Sequence, residues 1–188
     1  ALGVEVASIW LDGGRYDDLR RVGDASSIIS LPYGREAARI LAERTGAALI
    51  ETDLPFGIHG TEQWVRRVAA GLGREDRAEA FLRNALRETV RPLRWIVDGD
   101  LLPERMVFLG DPYLVPPLSR LSRELGTGLR QAYVCGNERH LRRLVDPRCS
   151  GCDIITEAGV VDLMDAMDAL GRSPGRSLAI ASELSKTG

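Results

Sequence analysis

The stretch SSIISLPYGREAARILAERTGAALIETDLPFGIHGTEQWVRRVAAGLG, residues 26–73, decides the fold class. It opens on a short apolar run, SSIISL (26–31), and turns through Pro32 and Gly34. YGREAARILAERTG then sets Ala37, Ile40, Leu41 and Arg44 at helical spacing, with Gly46 as a natural stop. A second apolar run, AALIE (47–51), is followed by Pro55, Gly57 and Gly60 within six residues. In TEQWVRRVAAGLG (61–73), Thr61 is placed to cap a helix, and Trp64, Val65, Val68 and Leu72 make its apolar stripe. Strand-like runs alternating with helices predict a parallel sheet with right-handed crossovers.

The alternation extends to both sides. GVEVASIW (3–10) reads as a strand, and LDGGRYDDLRRVGDA gives a turn and a short helix. Residues 74–102 form the longest helical pattern, with Ala80, Phe81, Ala85, Leu86, Val90, Leu93 and Val97 at helical spacing. Pro92 inside it should kink or divide the helix. Further strands are expected at 105–111, 129–136, 152–157 and 177–182, and helices at 116–126, after Gly136 and over 158–171. The expected fold is α/β: two Rossmann-like doubly wound parallel-sheet units, residues 1–92 and 93–188, joined by a long helical connector. The opening ALGVEVASIW reads as an interior strand, so the chain is expected to be a piece of something longer, its second unit truncated at the C-terminus.

Composition narrows the function classes. With 188 residues, 44% hydrophobic and 28% charged, the chain can bury a substantial core. A net charge of −2 supplies no field for steering nucleic acid. No apolar run approaches the roughly 20 residues of a membrane span, and no membrane partner is expected. Three cysteines argue against a secreted disulfide framework and for a cytoplasmic protein. No GxGxxG follows the first strand, so NAD is not expected.

In open α/β sheets, ligands bind beyond the carboxyl ends of the strands. Three Pro- and Gly-bearing loops fall there: LPYG (31–34), LPFGIHGT (54–61) and GDPYLVPP (110–117). Exposed amides leading into a helix can face an anion or a cluster, although the same residues punctuate any strand-to-helix junction. Cys149 and Cys152 form a CxxC, with the spacing for zinc, an iron–sulfur cluster or a redox disulfide. A zinc site would draw its other ligands from Cys135, His140 or His59; the bland alternative is two cysteines beside a turn. Asp162, Asp165 and Asp168 complement Val161, Leu163, Met164, Met167 and Leu170 on the last helix and mark a solvent face. No catalytic triad can be assembled, and no catalytic residue is assigned beyond His59 as a candidate.

Residues 26–73 resemble the second domain of nitrogenase component-one-like proteins, a family of nitrogenase subunits, cofactor-assembly scaffolds and dark-operative tetrapyrrole reductases. The turn Pro55-Phe56-Gly57-Ile58-His59-Gly60-Thr61, with Trp64 beyond it, carries the likeness, and RPLRWIVDGD, MVFLGDPYLVPPLSRLSRELG and LAIASELSK extend it into the third domain. The resemblance implies a reductase component that accepts electrons from an ATP-driven iron protein beside a homologous component-one subunit. An iron–sulfur cluster or metal cofactor belongs to the full assembly. Ser30, Pro32, Tyr33, Pro55, Gly57, Ile58, His59 and Thr61 would form the substrate- or cofactor-side loops, with His59 as polar contact or proton donor. The family's cofactor-ligating cysteine corresponds here to Ser30, so cofactor ligation does not carry over. The first domain, whose cysteines hold the bridging cluster, would lie before residue 1, and this chain alone is expected to be inactive. Two other readings remain at this level: a non-catalytic small-ligand or cofactor-assembly module, and a GT-B-like nucleotide-sugar transferase.

Overall fold

The computed structural model describes residues 2–10, 16–98, 105–134, 151–156, 164–165, 168–169, 171–172 and 175–181. Contacts divide the chain into two compact units, residues 1–54 with 61–87 and residues 55–60 with 88–188. The boundary expected between residues 92 and 93 lies five residues further along the same helix.

The first unit carries a 3-10 helix (Tyr16–Asp24) and strand β1 (Ser27–Ser30), then a 3-10 turn (Pro32–Gly34), helix α1 (Arg35–Thr45) and strand β2 (Ala48–Glu51). β1 and β2 pair in parallel, from Ser27 opposite Ala48 to Ser30 opposite Glu51, so α1 is the crossover of a βαβ unit. It ends where the sequence predicts: Gly46 takes φ +73° and donates its N–H to the Ala42 carbonyl, a left-handed cap that favours glycine. Helices α2 (Gly57–Leu72) and α3 (Glu75–Asp98) follow. Val65 and Ala69 of α2 close a core with Ala78 and Leu82 of α3, and Leu2 and Trp64 pack beside it.

Three sequence expectations are corrected along these elements. Residues 2–9 form no strand; Val4, Val6, Ile9 and Trp10 are exposed, and the described sheet contains β1 and β2 alone. An alternating pattern becomes a strand only where a ladder partner takes its amides. Among the described side chains of α3, Ala78 and Leu82 are buried, Ala85 and Leu86 half-buried, and Ala80, Phe81 and Val90 exposed, so only part of the stripe that spacing suggested turns inward; Leu93 and Val97 lie outside the described side chains. Pro92 does not divide α3, which stays helical to Asp98.

The second unit is built on β3 (Arg105–Gly110), a 3-10 turn (Pro112–Leu114), α4 (Val115–Glu124), β4 (Leu129–Val134), β5 (Asp153–Thr156) and β6 (Ser177–Ala181). The four strands are parallel, in the order β5-β4-β3-β6. Met106 and Phe108 of β3 face a core with Val115 and Leu118 of α4 and Leu129, Ala132 and Val134 of β4. Val107 turns the other way, onto Tyr133. A strand apolar on both faces is the mark of a buried parallel sheet. α4 places Pro116 and Pro117 in its first turn, where their missing N–H groups cost nothing.

The helix expected over 158–171 is described at 164–165, 168–169 and 171–172, all helical. Asp165 and Asp168 are exposed as expected, but Met164, assigned to the apolar face, is 66% exposed. Asp162 lies outside the described residues, as do Cys135, His140, Cys149 and the helix expected after Gly136. Among the described residues no helix is long and apolar enough to cross a membrane.

Candidate functional site

In the second unit the spatial order places the third strand in sequence first, then the second, the first and the fourth. The chain therefore reverses direction across the sheet between β3 and β6, and the carboxyl ends of those strands flank a topological switch point, the usual ligand crevice of such sheets. The loop leaving β3 is Gly110-Asp111-Pro112-Tyr113. Gly110 takes φ +144°, and the Asp111 carboxylate accepts the Tyr113 N–H at 2.8 Å, which fixes the loop as it enters α4.

Residues 55–60 belong to the same unit. Phe56 packs beside the Phe108 core, and Gly57 takes φ +74°. The Ile58 and His59 amides then donate to the two Glu124 carboxylate oxygens at 2.8 and 3.1 Å. α2 thus starts at Gly57, four residues earlier than expected, and Thr61 lies within it rather than capping it. The physical reason is that Glu124, from the end of α4, satisfies the first free amides, so no local hydroxyl is needed. His59 and Pro55 are exposed, and Ile58 is half-buried. Sequence reading missed Glu124. The signal was available, because an acid at a helix C-terminus opposes the helix dipole.

Ser30, Pro32 and Tyr33 stand in the first unit, at the carboxyl end of β1. Ser30 is buried and donates its hydroxyl to the Leu31 carbonyl at 3.2 Å. The Ser30 carbonyl accepts from the Thr52 amide at 2.9 Å and the Thr52 hydroxyl at 3.1 Å, tying the ends of β1 and β2 together. Arg35 reaches the Thr52 carbonyl and the Asp53 carboxylate at 3.2 and 3.0 Å. Tyr33 is 49% exposed. The structure thus holds Ser30, Pro32 and Tyr33 in one unit and Pro55, Gly57, Ile58 and His59 in the other, while Thr61 returns to the first.

The described donor set does not fit a resident metal cluster. Among the described residues no group of three or more His, Cys, Asp or Glu side chains can hold a metal ion. Cys152 is half-buried against the Phe108 core and directs its thiol to the Asp153 carbonyl.

The sequence profile of the family described as nitrogenase component 1 type oxidoreductase matches residues 1–167. The chain is 31% identical over 143 residues to the B-type polypeptide of light-independent protochlorophyllide reductase from Roseiflexus castenholzii, covering 74% of this chain and 23% of the relative. It is 29% identical over 131 residues to the N-type polypeptide of the same enzyme type from Roseiflexus sp. strain RS-1, covering 66% of this chain and 29% of the relative. The chain therefore spans about a quarter of the length of these relatives. Solved structures described as nitrogenase Cp1 at pH 6.5 and at pH 5 superpose with TM-scores of 0.60 and 0.70 and are 17% and 12% identical. They cover 82% and 90% of this chain, which covers 35% and 41% of theirs; at such identities they show the fold. These matches lend no support to a nucleotide-sugar transferase or a non-catalytic binding module. With a profile match over most of its length and the same Rossmann-like α/β layers, the chain belongs to the nitrogenase component-one type oxidoreductase family.

Proposed function

We propose that this chain forms the substrate-side part of a component-one reductase subunit of the light-independent protochlorophyllide reductase type, acting in the cytoplasm. The observation that carries the reading is the 31% identity to the B-type polypeptide over most of this chain, with the N-type polypeptide beside it at 29%. A homologous component-one subunit would complete the assembly, and an ATP-driven iron protein would deliver its electrons. An iron–sulfur cluster would supply electron transfer there, and the described residues of this chain hold no donor set for one. The chain's own contribution is then to bind and orient a planar tetrapyrrole. In the second unit Pro55 and the half-buried Ile58 offer apolar surface, and the exposed His59 imidazole a proton for the ring carbon reduced by the arriving electrons. The two compact units correspond to the second and third domains of such a subunit.

The reading is tested by assembling the full-length subunit with its partner and an iron protein, then adding ATP, reductant and protochlorophyllide without oxygen. ATP-dependent loss of protochlorophyllide absorbance with appearance of the reduced ring is the expected result. An assembly that forms but leaves the pigment unchanged would overturn it.

A further inference from the structure

We propose that Glu124 is a positioning residue for the loop carrying His59: its carboxylate, seated on the Ile58 and His59 amides over the bare α-carbon of Gly57, sets where residues 55–60 stand. The inference deepens the reading of that loop as a substrate-side wall and rests on it. One residue here is ill-suited to its local position, and the other leaves a helix cap to be supplied from elsewhere. Glu124 closes α4, where the negative end of the helix dipole disfavours an acid. Gly57 opens α2, where a Ser, Thr, Asp or Asn side chain would ordinarily cap. Together they agree. The carboxylate spans two consecutive amides at 2.8 and 3.1 Å, and a Cβ on residue 57 would come within 2.5 Å of Glu124 Oε2. With a side chain at residue 57, the carboxylate would have to shift from where it now sits.

A side chain on residue 57 that capped α2 locally would satisfy the same amides but would leave the loop free to move with its helix. A carboxylate 65 residues beyond His59 fixes the loop to α4 instead. Phe56, in the core beside Val115 and Leu118, is a second anchor on the same unit. His59 is thereby presented from a backbone held on both sides, the preorganisation that a binding or proton-donating group needs.

The test compares wild type, E124Q and the double substitution E124A/G57D in the complete reductase assembly, with protochlorophyllide as the probe. Aspartate tolerates a positive φ and can cap α2 locally, so the double variant restores the helix cap without the link to α4. Exchange at the Ile58 and His59 amides should speed up by roughly tenfold in E124Q, as for a lost hydrogen bond to a charged group. The double variant should regain its unfolding midpoint yet keep a kcat lowered severalfold, with a smaller change in KM. Unchanged exchange in E124Q would overturn the proposal. So would a double variant whose kcat recovers together with its stability, since Glu124 would then be a helix cap and nothing more. If the wild-type assembly does not turn over protochlorophyllide, the substrate reading falls by itself, and the exchange measurement still decides whether Glu124 holds the loop.

Discussion

His59 and Glu124 illustrate what a single residue contributes here. The imidazole of His59 is exposed while its amide is bonded to Glu124 at 3.1 Å, so the backbone is tied down and the side chain faces solvent. In the assembled reductase, His59→Ala should lower kcat by about 10²-fold, the usual effect of removing a positioned proton donor, with a smaller change in KM. Steady-state kinetics of the variant check this, and an unchanged kcat would remove His59 from the chemistry. Arg39 is the contrasting residue. Its guanidinium is held above its ordinary pKa by the hydrogen bond and charge of Glu51, 2.8 Å away on a largely exposed surface. A raised pKa in the folded state adds stability below the ordinary value and loses it only above, far outside the working range. Because exposed pairs contribute little, Arg39→Ala should leave both the unfolding midpoint and its pH dependence between about 5 and 9 unchanged, as read by urea titrations across that range.

At the scale of elements, β3 is the axis of the second unit. It pairs with β4 on one side and β6 on the other and sends Phe108, fully buried, into the core with α4. Phe108→Ala should cost about 3–5 kcal/mol, the range for emptying an aromatic site in a packed core, and chemical denaturation of the purified protein measures it. A loss well under that range would mean that α4 can collapse into the space. Most element identities were legible in sequence because each carries a complete local signal. Gly46 stops α1 with the left-handed φ that glycine supplies, and Val65 and Val68 mark the inner face of α2. Where the signal needs a partner it failed. Val4 and Val6 alternate as a strand does, yet the described residues 2–9 form no strand. On α3, the choice between Ala78 with Leu82 and Phe81 with Val90 was made by what packs against it.

At the scale of the whole molecule, a metal centre requires donors that converge from several elements. Ser30 occupies the position that the family likeness aligns with a cofactor cysteine, but it is buried and bonded to its own neighbour's carbonyl. Among the described residues no further donors gather into a metal-holding group. Ser30→Cys should therefore bind no iron, as judged by metal analysis and the visible spectrum of protein purified without oxygen; a stoichiometric iron signal would refute this. The sequence by itself determined the α/β class, the Pro- and Gly-bearing loops at the strand ends and the family, because periodicity, turn residues and the motif around Pro55-Phe56-Gly57-Ile58-His59 are properties of neighbouring positions. Only the tertiary structure decided the strand order β5-β4-β3-β6 with its switch point, the division that places residues 55–60 with the second unit, and the capping of α2 by Glu124 instead of Thr61. Each of those joins residues far apart in the chain, and a helix end accepts any carboxylate that reaches its free amides, whatever its position in the sequence.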